Sequence, residues 1–150
     1  MNVASILALK GPVIVTVKPT DTIATLSRKL HEKRVGAAVV SSDGQALDGV
    51  ISERDIAYAV AVHKGDLHVV PVETLMTRAV ISCAPGDSVA HVASTMLSRR
   101  IRHVPVVDDG RLLGMISIRD VLNQRLDDLQ RQTAMLRNLA VQMDVPPQDR

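Results

Sequence analysis

The sequence has no Trp and no Phe, and Tyr58 is its one aromatic residue. Single-stranded nucleic acid is normally gripped by stacking bases on aromatic rings, so that function lacks its usual platform. Cys83 is the only cysteine, which excludes an intrachain disulfide framework and fits a cytoplasmic protein. No apolar run approaches the roughly 18 residues of a membrane span. Met1-Asn2-Val3-Ala4-Ser5 has neither the basic start nor the apolar stretch of a signal peptide, so no membrane partner is expected. Charge of one sign is scarce as well: 18 basic and 16 acidic residues are interspersed and leave a net charge of +2. That is no clustered basic stripe, and nucleic acid is not an expected partner. There is no Gly-x-x-x-x-Gly-Lys or Gly-x-Gly-x-x-Gly run. His31, His63, His68, His91 and His103 show no paired ligand spacing with Cys83 or a carboxylate, so no metal is expected. No nucleophile or poised acid–base pair stands out either, and the expectation is a protein that is not an enzyme.

What is present is apolar and small. Of 150 residues, 46% are hydrophobic, supplied almost wholly by Val, Ile, Leu and Ala. That suffices for a core without covalent staples and suits buried strands packed on helices.

The chain also repeats itself. Val15-Thr16-Val17-Lys18-Pro19-Thr20-Asp21 matches Ile81-Ser82-Cys83-Ala84-Pro85-Gly86-Asp87, and at the same offset Arg34-Val35 matches Arg100-Ile101 and Asp43-Gly44 matches Asp109-Gly110. After one residue is lost from the second copy's turn, Gly49-Val50-Ile51-Ser52-Glu53-Arg54-Asp55 pairs with Gly114-Met115-Ile116-Ser117-Ile118-Arg119-Asp120. Each copy reads as β-α-β-β-α. A short strand (13–17; 79–83) ends at a proline turn, and Asp21 or Asp87 stands where a helix N-cap belongs. Ile23, Leu26 and Leu30, or Val89, Val92 and Met96, then recur at helical spacing. An apolar strand follows (37–40; 104–107), then an Asp-Gly hairpin turn, a second strand (47–51; 112–116), and Ser52 or Ser117 poised to cap a second helix. The expected divisions are a helical lead-in over 1–12, repeats over 13–63 and 78–125, a linker over 64–77, and a C-terminal helix with disordered tail over 126–150.

From Val121 the pattern is one long helix. Leu122, Leu126, Leu129, Thr133, Leu136, Ala140 and Met143 alternate in steps of four and three, an a/d heptad seam. The seam either packs on its own domain or pairs with a second chain.

Val15-Thr16-Val17-Lys18-Pro19, Leu75-Met76-Thr77, Ile101-Arg102-His103-Val104-Pro105-Val106-Val107-Asp108 and the two Gly-x-Ile-Ser-x-x-Asp runs, in this order and duplicated, resemble the cystathionine-β-synthase (CBS) domain family as a free-standing tandem pair, or Bateman module. The resemblance covers residues 1 to about 130. It implies an α/β (α+β) fold of two βαββα repeats related by a pseudo-two-fold axis, here with a long C-terminal helix. It further implies two clefts for adenosine-containing regulators (AMP foremost, with ATP, NAD and S-adenosylmethionine), no required cofactor, frequent homodimers, and control exerted on a protein target.

Carried onto this sequence, the resemblance assigns Asp55 and Asp120 to ribose hydroxyls, with Ser52 and Ser117 beside them. The same Ser-x-x-Asp spacing is also a helix capping box, and both readings stand. Arg102 and His103 precede a buried strand and are expected to reach a phosphate held mainly by the sister repeat, in the cleft of Asp55. Otherwise they form a solvated basic turn. Gly36 and Ala37 take their places in the first repeat, which also lacks a counterpart to Pro105, so the Asp120 cleft is expected to be the poorer in phosphate-binding charge. Arg54 and Arg119 oppose the dipole of their helices and imply an anionic partner, either phosphate or a carboxylate. Thr16 and Ser82 are the expected strand-end contacts. The base would lie against Val35, Ala38 and Ile51, or Ile101, Val104 and Ile116. The alternative function is a ligand-independent dimerisation scaffold with vestigial clefts.

Overall fold

Thr22 and Ser88 each follow an aspartate, and each starts a helix. Their hydroxyls accept from the backbone N–H three residues on, at Thr25 (3.2 Å) and His91 (3.1 Å). The expected caps, Asp21 and Asp87, instead accept from the N–H groups of Lys18 and Ala84, both at 2.9 Å. The reason is local: an Asx side chain closes the proline turn, which leaves the next hydroxyl to satisfy the helix.

The computed structural model describes residues 1–11 and 14–144. In chain order the elements are α1 (Val3–Lys10), β1 (Thr16–Val17), α2 (Ile23–Lys33), β2 (Ala37–Val40), β3 (Gly49–Ser52), α3 (Glu53–Val62), α4 (Val72–Leu75), α5 (Val89–Arg99), β4 (His103–Asp108), β5 (Arg111–Ser117) and α6 (Ile118–Met143). The expected strand start at Val13, the helix stop at Pro12 and the tail at Val145-Pro146-Pro147 lie outside the described residues.

β1 runs parallel to β2, which pairs antiparallel with β3; β4 pairs antiparallel with β5. The second copy's first strand is reduced to a single parallel bridge, Cys83 to Val106. The β4–β5 turn holds Asp109 and Gly110 at φ of 47° and 74°, the left-handed pair that a two-residue hairpin requires. The first copy's extra residue opens a longer loop, in which the Asp43 carboxylate accepts from Gln45 and Ala46 N–H at 2.8 Å.

Each repeat has its own core. Ile23, Leu26 and Leu30 of α2 pack with Val17, Ala38, Val40 and Ile51. Val89, Val92 and Met96 of α5 pack with Cys83, Val104, Val106 and Ile116. Burying a side chain such as Leu26 contributes about 2 kcal/mol. The segments before the repeats are exchanged. Val3 and Ile6 of α1 complete the core of the second repeat, and Val70 and Val72 complete that of the first. The hydrogen bonds agree: Val3 N–H donates to Asp87 O at 2.9 Å, and Val72 N–H donates to Asp21 O at 2.7 Å. Leu7 lies over Gly114 and Met76 over Gly49, so tightly that a Cβ at either glycine would sit 2.7–2.8 Å from its neighbour. This reciprocity is the pseudo-two-fold relation in physical form.

α6 spans 26 residues, about 39 Å at 1.5 Å per residue. Val121 and Gln124 are its buried residues, and both lie in its first two turns. Leu122, Leu126, Leu129, Leu136 and Met143 are all more than half exposed. The seam therefore does not pack on its own domain.

Candidate functional site

The second helix of each repeat starts from a capping box. In α3, Asp55 N–H donates to Ser52 Oγ (3.4 Å) while Asp55 Oδ2 accepts from Ser52 N–H (2.8 Å). In α6 the pair is Asp120 N–H to Ser117 Oγ (3.2 Å) and Ser117 N–H to Asp120 Oδ2 (2.8 Å). Beside each box the chain arriving from the preceding helix accepts one bond. Gly36 O takes the N–H of Glu53 at 2.9 Å, and Arg102 O takes that of Ile118 at 2.8 Å. These bonds fix Gly36-Ala37 and Arg102-His103 against the helix starts of their own repeats.

Between the repeats lies a cavity of about 1100 Å³, large enough for a nucleotide-sized ligand. One wall is Arg34, Gly36 and Ala37 with Glu53 and Ile56 of α3; the facing wall is Arg102, His103, Ser117, Arg119 and Asp120. Lys10, Ile14 and Met115 also line the cavity. Four cations (Lys10, Arg34, Arg102, Arg119) face three carboxylates (Glu32, Glu53, Asp120). A side chain at Gly36 would come within 3.2 Å of the Glu53 carboxylate and 3.5 Å of the His103 ring, so this glycine keeps the floor open.

Lys10 Nζ donates to Asp120 Oδ2 and to Met115 O, each at 2.9 Å. Among the described residues Asp55 has no such cation. Burial holds His103 below the ordinary histidine range, with the positive charges of Lys10 and Arg102 acting in the same direction and Glu53 and Asp120 opposing. The imidazole is accordingly neutral at neutral pH. Burial, with the nearby Asp87 charge, pushes the Cys83 thiol up to about 11, which keeps it an unreactive core group.

Of the residues expected at a site, the cavity brings together Gly36, Ala37, Arg102, His103, Ser117, Arg119 and Asp120. Thr16, Ser52, Arg54, Asp55, Ser82, Val104, Pro105 and Ala38 do not line it. The side chains of Ala38 and Val104 are enclosed in the two cores. Arg54 and Ser82 are exposed. Among the described residues neither Arg54 nor Arg119 makes an ion pair, so the carboxylate partner considered for them is not found.

Arg102 and His103 line the same cavity as Glu53 and Asp120, and the Arg102–Ile118 backbone bond holds them beside the start of their own repeat's helix. Asp55 does not line that cavity, which also holds the cations Lys10, Arg34 and Arg119. Sequence reasoning missed Lys10 and Arg34. Lys10 was hidden by the exchange of α1 across the repeats. Arg34 carried a usable signal, its repeat partner Arg100: both end a helix in the left-handed conformation at φ 54°.

Among the described residues no His/Cys/Asp/Glu group has the arrangement of a metal site, and no helix is long and apolar enough to cross a membrane.

Comparison with known proteins matches the model of the CBS domain twice, over residues 9–62 and 72–127. A CBS-domain containing protein from Agrobacterium tumefaciens is 36% identical, with a TM-score of 0.79 over 83% of this chain and 99% of that one. A CBS domain protein from Pyrobaculum aerophilum, solved in complex with AMP, is 35% identical, with a TM-score of 0.71 over 80% of this chain and 89% of that one. A CBS domain pair solved with 5′-methylthioadenosine and S-adenosyl-L-methionine is 28% identical, with a TM-score of 0.75 over 85% of this chain and 98% of that one. Among curated relatives, an Acidianus ambivalens protein is 34% identical over 115 residues, 76% of this chain and 68% of that one. A mitochondrial CBS domain-containing protein of Arabidopsis thaliana is 33% identical over 77% of this chain, which covers only 60% of its length.

Proposed function

Since the chain belongs to the CBS domain family, matched once in each half, we propose that it is a regulatory module that binds one adenine nucleotide, AMP foremost, in the cavity between its repeats. The observation that carries this reading is the pairing of the Asp120 carboxylate with a surplus of cations around one nucleotide-sized space. Asp120 Oδ1 makes no hydrogen bond among the described residues, so it is available to a ribose hydroxyl, and charge-assisted bonds of this kind are strong. Arg34, Arg102 and Arg119 supply phosphate donors, and Gly36-Ala37 lets the ligand approach backbone closely. The AMP complex of the Pyrobaculum relative and the adenosyl complex of the other pair support the ligand class. We assign Ser52 and Asp55 to helix capping and Arg54 to the exposed helix surface, with Thr16 and Ser82 as strand hydroxyls, and so infer one occupied site.

The module acts as a sensor and not as a catalyst, in the cytoplasm, where the free Cys83 stays reduced. It works as a homodimer that presents a surface to a protein target. α6 connects the two roles. Ser117 caps it, its first turn carries Asp120, and its far end carries the exposed seam of Leu129, Leu136 and Met143. Ligand at the first turn biases the helix direction, and the dimer reads it, provided the two states differ in ligand affinity.

Titration of the purified chain with AMP, NAD and S-adenosylmethionine by calorimetry tests the reading, with saturable binding of an adenosyl compound as the expected result. A second reading, a scaffold without ligand, is favoured by one observation: both capping boxes are complete on their own. Flat titrations at millimolar concentration would select it.

A further inference from the structure

We propose that Lys10 makes this site select anionic adenosine compounds over uncharged ones. The inference rests on the nucleotide reading above. Lys10 is the last residue of α1, and α1 belongs to the second repeat's fold: Val3 and Ile6 are buried in that core, and Ala4 N–H donates to Pro85 O at 2.9 Å. The ammonium is therefore delivered to the cavity by an anchored helix and not by a wandering terminus.

At the cavity, Lys10 Nζ spends two of its three N–H groups, one on Met115 O and one on Asp120 Oδ2. The third has no partner among the described residues. The Lys10 side chain is 33% exposed and that of Asp120 16%, so solvent screening leaves the ion pair itself a small contribution to stability. Its consequence is for ligands. Asp120 Oδ2 already accepts from Ser117 N–H, and a ribose diol seeking both carboxylate oxygens must compete with Lys10 for what remains of it. A nucleotide offsets that competition, because its phosphate receives the displaced or third ammonium N–H in a charge-assisted bond. A nucleoside has nothing to offer in return. Lys10 thus strengthens binding of AMP and weakens binding of adenosine.

The test is calorimetric titration of the full chain and of Lys10→Met, which keeps the aliphatic stem, with AMP and with adenosine. The preference for AMP over adenosine should fall by roughly tenfold or more, with AMP weakened and adenosine unchanged or tightened, and Lys10→Arg should retain the preference. Equal changes for the two ligands would overturn the inference. Failure of the unaltered chain to bind either compound would overturn the nucleotide reading itself, and this one with it. Amide hydrogen exchange on the unaltered chain gives a second measure that needs no variant. The last turn of α1, Leu7–Lys10, should change its exchange with AMP and not with adenosine; an identical response to both would contradict the proposal.

Discussion

Val3 and Val72 occupy equivalent places in opposite repeats: each is fully buried, and each begins the helix that precedes the other repeat. The two halves of the chain are therefore interlocked by short segments and not merely apposed. This exchange is also what brings Lys10 to Asp120.

Removing two methyl groups from either valine tests the interlock. Val3→Ala should destabilise the chain by about 2 kcal/mol, and hydrogen exchange should quicken first at Val104, Val106 and Ile116, in the second repeat. Val72→Ala should quicken the first repeat, around Val40 and Ile51. Loss of protection in the repeat adjacent in sequence, instead of the one across, would contradict the exchange.

The neutral, half-buried His103 gives the site a pH dependence of known sign. Its folded pKa lies below the ordinary value of 6.5, so the unfolded chain takes up its proton first. The stability this group contributes is present above pH 6.5 and is lost as pH falls towards the folded pKa. The melting temperature of the free protein should accordingly drop between pH 7.5 and 5.5, and by less in His103→Gln. Affinity for a phosphate-bearing ligand should move the opposite way and tighten on acidification, because protonated His103 faces the anion. A tighter complex at pH 7.5 than at pH 6 would contradict this placement of the ring.

The exposed seam on α6 predicts self-association. Six of its positions are Leu, Met or Ala, and the leucines recur at the d positions that suit two-stranded packing. Covering these side chains on two copies removes on the order of 1,000 Å² from water, near the lower end of stable interfaces. Sedimentation should show a dimer, and Leu129→Asp with Leu136→Asp should yield a folded monomer. A wild-type monomer, or a dimer indifferent to these changes, would remove α6 from the assembly.

Much of this was legible locally. Helical spacing located Leu26, Leu30, Val92 and Met96, and the repeat located Ser52 and Ser117, because periodicity and capping are properties of adjacent residues. Asp21 and Asp87 misled by a single position. Two good capping residues stood side by side, and the demand of the proline turn decided between them. The setting of Arg102 and His103 was not legible for a different reason: it depends on a backbone bond to Ile118, and no spacing records it. Lys10 lay beyond local reading altogether, since its partner stands at the other end of the chain.

The most direct test of the nucleotide site exploits the symmetry. Asp55→Ala and Asp120→Ala each remove a capping box and should each cost about 1 kcal/mol of stability. They differ in the cavity that Asp120 lines and Asp55 does not, and in the exposed ion pair with Lys10 that Asp120 makes. Calorimetric titration with AMP should give one site per chain in the unaltered protein, retained in Asp55→Ala and abolished in Asp120→Ala. Binding lost in Asp55→Ala but kept in Asp120→Ala would contradict the account.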